Sequence, residues 1–296
     1  MPTSLRLTPL CFLVAACGVG GSIRTPGGNA TPPGVGEPED TEPPNAICRV
    51  DPDPARPLSA VRFVGEDSFD PDGIPLILHR WTLQRAPTGS AVRFQSGSQT
   101  NIDDVFLDLA GDYTATLSVT NDRGSVSDPC AVTVTAEPEH ELWIELFWEL
   151  PGDDLRLHVV RDDGEIFSSD DCHEGACSMS WGRPNAANED PELLRTDADG
   201  VGPEIFGLRV TGDQFYTVYV EDHFVERSGA GWRLGSNTAT INIWLDGERL
   251  FSTERTFVTF EDEGSWQAVA RISASAGTAT ERDDSGQAPY RADRLE

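Results

Sequence analysis

The sequence predicts an all-β protein: two antiparallel β-sandwich domains in tandem, behind an export signal and a disordered tether. Three observations carry that prediction. Short segments in which apolar and polar residues alternate recur between residues 45 and 273, the period of half-buried strands. Gly, Pro, Asp and Asn cluster between those segments, as turns require. No segment in the same interval reads as a helix.

The chain opens MPTSLRLTPLCFLVAAC, with one positive charge at Arg6 and an apolar run from Leu7 to Ala16 broken only by Thr8 and Pro9. A transmembrane helix needs about 20 apolar residues, so this run is too short to span a bilayer. Residues 1–16 instead have the charged start, apolar centre and small-residue end of a secretory signal. The tetrapeptide Val14-Ala15-Ala16-Cys17 resembles the lipobox of bacterial lipoproteins. That resemblance implies cleavage before Cys17 and acylation of its thiol and new amino terminus. The alternative is ordinary signal-peptidase cleavage, with Cys17 a stray thiol. Gly18, where an Asp would mean retention, resembles outer-membrane cargo. The implied location is therefore an exported protein, lipid-anchored to the bacterial cell envelope at the outer membrane.

Residues 17–44 follow as GVGGSIRTPGGNATPPGVGEPEDTEPP behind the cysteine, with nothing to bury in a core. The segment is expected to be a disordered linker with an end-to-end distance of roughly 30 Å. Such a spacer lifts folded domains off the headgroups, and several acyl chains hold a protein where one would not.

Acidic residues number 50 against 22 basic ones, a formal net charge of -28. Nucleic acid and anionic lipid surfaces are thus poor partners for the folded body. Cations, basic proteins and neutral glycans remain. With Cys11 lost in the signal and Cys17 acylated, Cys48, Cys130, Cys172 and Cys177 are left. An even number in an exported chain predicts two disulfides. Pairing by domain joins Cys48 to Cys130 and Cys172 to Cys177. The first closes a loop of about 80 residues, worth about 4 kcal/mol in the chain-entropy model. The second is a local brace.

Residues 45–137 carry alternating strands at Val61-Phe63, Leu76-Leu78 and Tyr113-Ala115-Leu117-Val119. Asp67-Ser68-Phe69-Asp70-Pro71-Asp72-Gly73, then Trp81, then the run from Gly111 to Asn121 with Gly124 beyond, together resemble the PKD domain. The resemblance implies an immunoglobulin-like sandwich of extracellular proteins. One departure lies after Trp81, where Thr-Leu-Gln-Arg-Ala-Pro-Thr-Gly-Ser replaces the family's Gly-Asp-Gly turn. Asp70 to Gly73 reads as turn chemistry, with Pro setting φ and Gly accepting positive φ, and a calcium site is the alternative reading of the same carboxylates. Trp81 is expected to plug the core between the sheets.

Residues 138–273 form the second predicted sandwich. In ELWIELFWEL, Leu142, Ile144, Leu146 and Trp148 share one face. Leu155-Leu157-Val159, Tyr216-Val218-Val220, Ile241-Ile243-Leu245 and Trp266-Ala268-Ala270-Ile272 alternate likewise, and Asp246-Gly247 marks a hairpin. The order of ELWIEL, Gly152 to Val159 and Gly202-Pro203-Glu204 resembles an uncharacterised β-rich domain of bacterial exported proteins, with Arg156 where that family carries a second acid. The polar, aperiodic residues 274–296 are expected to be a disordered tail.

Acidic pairs gather in the second domain's loops, and Asp153, Asp154, Asp197 and Asp199 are the candidate ligands for a calcium ion. The competing reading is a solvated acidic surface. Asp197 to Gly200 is only a fragment of an EF-hand loop, and Glu204 lies too close to supply its bidentate ligand. Around Asp171 to Cys177 a disulfide is favoured over zinc, because exported thiols oxidise. His158 is the most conspicuous histidine, although a lone strand histidine is ordinarily a hydrogen-bonded structural residue. Nucleophile-elbow, HExxH, P-loop and dinucleotide signatures are all missing from the sequence. The expected function is a non-catalytic, lipid-anchored envelope protein presenting binding modules to a protein or glycan. The alternatives are a calcium-stabilised adhesion module and a glycan hydrolase with an unrecognised carboxylate pair.

Overall fold

A computed structural model of the chain describes residues 39, 41–183, 186–198, 200–223, 236–258 and 264–289. The signal segment and Cys17 lie outside these residues. The protein is all-β, built from antiparallel sheets, with a turn of 3-10 helix at Ala187–Glu189 among the described residues.

Six strands make the first sandwich: β1 (Arg49–Asp51), β2 (Ser59–Val64), β3 (Leu76–Arg85), β4 (Asn101–Leu107), β5 (Gly111–Asn121) and β6 (Cys130–Ala136). They form two three-stranded sheets, β1-β2-β4 and β3-β5-β6. On β5 every second residue points inward, so Tyr113, Ala115, Leu117 and Val119 are fully buried while Thr114, Thr116 and Ser118 face out. Phe63, Leu107, Val134 and Trp81 complete this core. A disulfide joins Cys48 to Cys130. Asp70 has the turn role: its Oδ1 accepts the amides of Asp72 and Ile74, and its Oδ2 accepts the Asn121 amide at 2.9 Å.

The folded unit begins before residue 45. Thr41 donates its amide and hydroxyl to Asp72, and Pro44 is buried, so the last residues of the predicted linker belong to the sandwich.

The second set comprises β7 (Leu142–Trp148), β8 (Asp154–Arg161), β9 (Asp171–Cys172), β10 (Glu192–Arg195), β11 (Glu204–Leu208), β12 (Phe215–His223), β13 (Ser236–Leu245), β14 (Glu248–Val258), β15 (Ser265–Ser273), β16 (Thr278–Glu281) and β17 (Ser285–Gln287). One sheet runs β10-β11-β7-β13-β14; the other runs β16-β15-β12-β8-β9, with β17 also on β15. Their inner faces meet through Leu142, Ile144 and Leu146 on one side and Leu155, Leu157, Val218 and Val220 on the other. Asp246 and Gly247, at φ 52 and 78, form the two-residue β13–β14 hairpin that a right-handed twist favours. A second disulfide links Cys172 to Cys177.

The expectation of a disordered tail from residue 274 is corrected as far as residue 289. There β16 and β17 pair with the outer edge of β15, Ala288 is buried, and Arg255 donates to the Arg282 carbonyl at 2.6 Å. Short strands of Thr, Ala and Ser carry little hydrophobic pattern; the open β15 edge selects them.

All seven residues of β7 are buried, because the first sandwich covers its second face. Ala110, at the β4–β5 turn, packs with Trp143 and Ile205, flanked by Leu58, Leu194 and Trp244. Glu145 sits at the centre of this joint. Its Oε1 accepts the Ala110 amide at 2.6 Å and the Trp143 indole at 3.0 Å, and its Oε2 accepts the Trp244 indole at 3.3 Å. Burial pushes the Glu145 carboxyl above its ordinary range, and these donors pull it part of the way back.

Candidate functional site

The open side of the first sandwich is made by β3 and β4, which are edge strands of opposite sheets. The chain between them must cross from sheet to sheet, and it is pinned along its length. Ser90 Oγ and the Ala91 amide donate to Asp108 at 2.6 and 2.5 Å, and Tyr113 also donates to Asp108 at 2.9 Å. Phe94 sits edge-on to Phe63, with centroids 5.2 Å apart. Beyond it, Ser98 Oγ accepts the His79 amide and Gln99 donates to the His79 carbonyl. A pinned segment standing between two edges leaves clefts on either side. One, of about 390 Å³, faces β4 and is lined by Gln99, Asn101, Asp103 and Phe106 among others. Two more, of about 460 and 340 Å³, face β3 and share Trp81, Thr82, Gln95 and Ser96. Trp81 is buried at their floor and donates its indole N–H to the Thr100 carbonyl at 3.4 Å. The lining mixes amides, hydroxyls and guanidinium groups, which recognise polar ligands directionally, with apolar side chains such as Leu78, Leu83 and Phe94.

The second sandwich holds a buried charge cluster on the outer face of its β8–β12 sheet. Core residues Leu155, Leu157 and Val159 alternate with Asp154, Arg156 and His158, which therefore face away from the core. His158 is fully buried, its Nδ1 2.7 Å from Asp171 Oδ2 on β9 and its Nε2 3.1 Å from Glu221 Oε2 on β12. Phe167 of the β8–β9 loop and His173, just after β9, roof it with rings 5.1 and 4.6 Å from the imidazole. Burial alone would lower the His158 pKa, but hydrogen bonds donated to two carboxylates outweigh it and raise the value to about 9. His158 is thus an imidazolium held between two anions, and His173 beside it is pushed down by burial and by that charge.

At the neighbouring stretch of β8, Asp154 accepts from Arg156 Nε and Nη2, and Arg156 Nε also lies 3.1 Å from Glu174. Glu204 reaches across from β11 in the opposite sheet, and its Oε2 accepts the Leu157 amide at 2.6 Å. Its other oxygen is buried with no partner. Burial, with Glu174 and Asp154 nearby, raises its pKa to about 8.

His158, Asp171 and His173 are the group of metal-ligating side chains that converge among the described residues, their ligand atoms within 4.8 Å of one another. The two imidazoles are nearly parallel, 19° apart. Ring lone pairs lie in the ring plane, so stacked rings direct them side by side rather than onto one ion. The cluster is arranged as an ion triad.

Asp153, Asp154 and Asp197 do not join in such a group among the described residues, and Asp199 lies outside them. Asp153 accepts the Asn237 amide at 2.7 Å, Asp154 holds Arg156, and Asp197 accepts the amides of Gly200 and Gly202. The roles of Asp171, Glu221 and Glu204 are not legible in the sequence, since the partners of His158 come from 13 and 63 residues along the chain. Arg80, Arg85 and Arg93 at the clefts are further residues of interest. Their signal was available: no Asp or Glu occurs between Asp72 and Asp103.

No family model matches the sequence, and no curated protein matches it. A similar solved structure is described as "Structural basis for the promiscuous specificity of the carbohydrate-binding modules from the beta-sandwich super family". The identity is 13%, over 84% of this chain and 96% of that one, with a TM-score of 0.28. A likeness at that level carries no argument about the ligand of this chain.

Proposed function

We propose that this chain is a non-catalytic binding protein of the bacterial cell envelope, held by lipid at Cys17, whose first sandwich presents its clefts to a glycan. The observation that carries the reading is the row of three clefts along the pinned β3–β4 segment, open to solvent, two of them floored by Trp81. Sugar hydroxyls suit amide and guanidinium groups held on a rigid scaffold, and this segment is fixed at both ends and in its middle. The Asp171–His158–Glu221 group supports the non-catalytic reading, because none of its three side chains reaches solvent to meet a substrate. The test is binding of the purified full-length chain to a panel of soluble polysaccharides, with Gln95→Ala and Gln84→Ala as paired variants. Saturable binding weakened by both changes is the expected result. Binding to no polysaccharide, or binding indifferent to both changes, overturns the assignment.

A further inference from the structure

The arginines of the first sandwich fall into two groups. Arg49 pairs with Glu66 and Asp67, Arg56 with Glu139, Arg62 with Glu66 and Asp103, and Arg123 with Asp122. Arg80, Arg85 and Arg93 have no carboxylate partner among the described residues, and all three are exposed at the two clefts that face β3. Neither cleft is lined by a carboxylate. In a chain of net charge -28 this is a local reversal of sign, and it favours an anionic ligand at these clefts. Arg93 is also held in place, its Nη1 donating to the Ser90 and Val92 carbonyls at 3.1 and 2.6 Å.

From this, and resting on the glycan reading above, we propose that the paired clefts beside Trp81 bind an acidic polysaccharide, one that carries carboxylate groups along its chain. Guanidinium groups take carboxylates in a two-pronged geometry that lysine cannot copy. The clefts adjoin through Thr82, Gln95 and Ser96, so a ligand with charges repeated along its length spans both, where a single small anion fills one. The uncharged side chains between the arginines suit the hydroxyls between the charges. Everywhere else the acidic surface disfavours a polyanion, which confines binding to this face and makes it depend on these three residues.

The test is titration of the purified full-length chain, at low and at physiological salt, with oligogalacturonate, with its methyl ester and with polyglutamate. Oligogalacturonate is expected to bind, and to weaken roughly tenfold for each of Arg80→Gln, Arg85→Gln and Arg93→Gln, as loss of a charged hydrogen bond implies. Arg249→Gln, in the second sandwich over Trp244, is expected to change nothing. Equal binding of the methyl ester would overturn the acidic preference while leaving the glycan reading intact. Polyglutamate binding as tightly would overturn it in favour of an acidic protein partner. Binding of neither oligogalacturonate nor its ester, with neutral glycans still bound by the panel, removes this inference alone.

Discussion

At the scale of single residues, two buried groups set how stability varies with pH. The His158 pKa of about 9 exceeds the value near 6.5 that an unfolded chain provides. Its charge therefore stabilises the fold in full below pH 6.5, and that contribution disappears as pH rises through 9. His158→Gln is expected to lower the unfolding midpoint at pH 6 and to flatten the decline between pH 6.5 and 9; a decline as steep as in the parent would sink the assignment. Glu204 is a carboxyl with its pKa raised to about 8, above the ordinary 4.5. The folded state keeps a proton that the unfolded state has lost, so stability falls as pH rises from 4.5 to 8. Glu204→Gln keeps an acceptor for the Leu157 amide without the charge. It should match the parent at pH 5 and exceed it at pH 8.5, by chemical denaturation at both values. Neither behaviour could be read from a lone strand histidine or from the Glu of a Gly-Pro-Glu turn, because the partners come from distant strands.

At the scale of elements, alternation in the sequence identified strands but assigned only one face of each. In ELWIELFWEL the face with Leu142, Ile144, Leu146 and Trp148 is the core face, yet Trp143 and Phe147 stand on the other with Glu145 between them. Two large aromatics on the polar side of a strand were the available sign of a second contact. Strands β16 and β17 left no comparable sign, since their residues become strand only by completing the backbone hydrogen bonds of β15. Ending the chain after Ser273 opens that edge and removes the Arg255 contacts with Glu281 and Arg282. It is expected to cost on the order of 2 kcal/mol and to promote self-association through β15. Unfolding and sedimentation of the truncated chain would check both, and unchanged behaviour would mean these strands contribute nothing.

At the scale of the whole molecule, a buried carboxyl group sits at the centre of the joint between the sandwiches. Glu145 accepts from Ala110 of one sandwich and from Trp143 and Trp244 of the other. Phe147 lies directly over Gly89, where any side chain would intrude, and Trp244 packs at van der Waals distance from Gly111. Glu145→Ala leaves an amide and two indole donors buried without an acceptor, each worth about 1–3 kcal/mol. The variant is expected to lose stability and to show a larger radius of gyration by X-ray scattering, while Glu145→Gln keeps much of the joint. Scattering identical to the parent would mean that packing alone holds the two halves. A rigid joint matters for the proposed role, because it fixes the direction in which the β3–β4 clefts face.

The sequence by itself determined the fold class, the strand faces that make both cores, the Asp246-Gly247 hairpin and the charge balance. Each depends on residues within a few positions of one another, where period, turn chemistry and composition act. Tertiary structure alone decided the rest: the roof over His158, the partnerless oxygen of Glu204, the aromatic joint around Glu145 and the placing of Arg80, Arg85 and Arg93 at the clefts beside Trp81. Those depend on which edges and faces the sheets leave open once they have stacked. Sheet order and strand pairing are long-range choices, and no local pattern of residues encodes them.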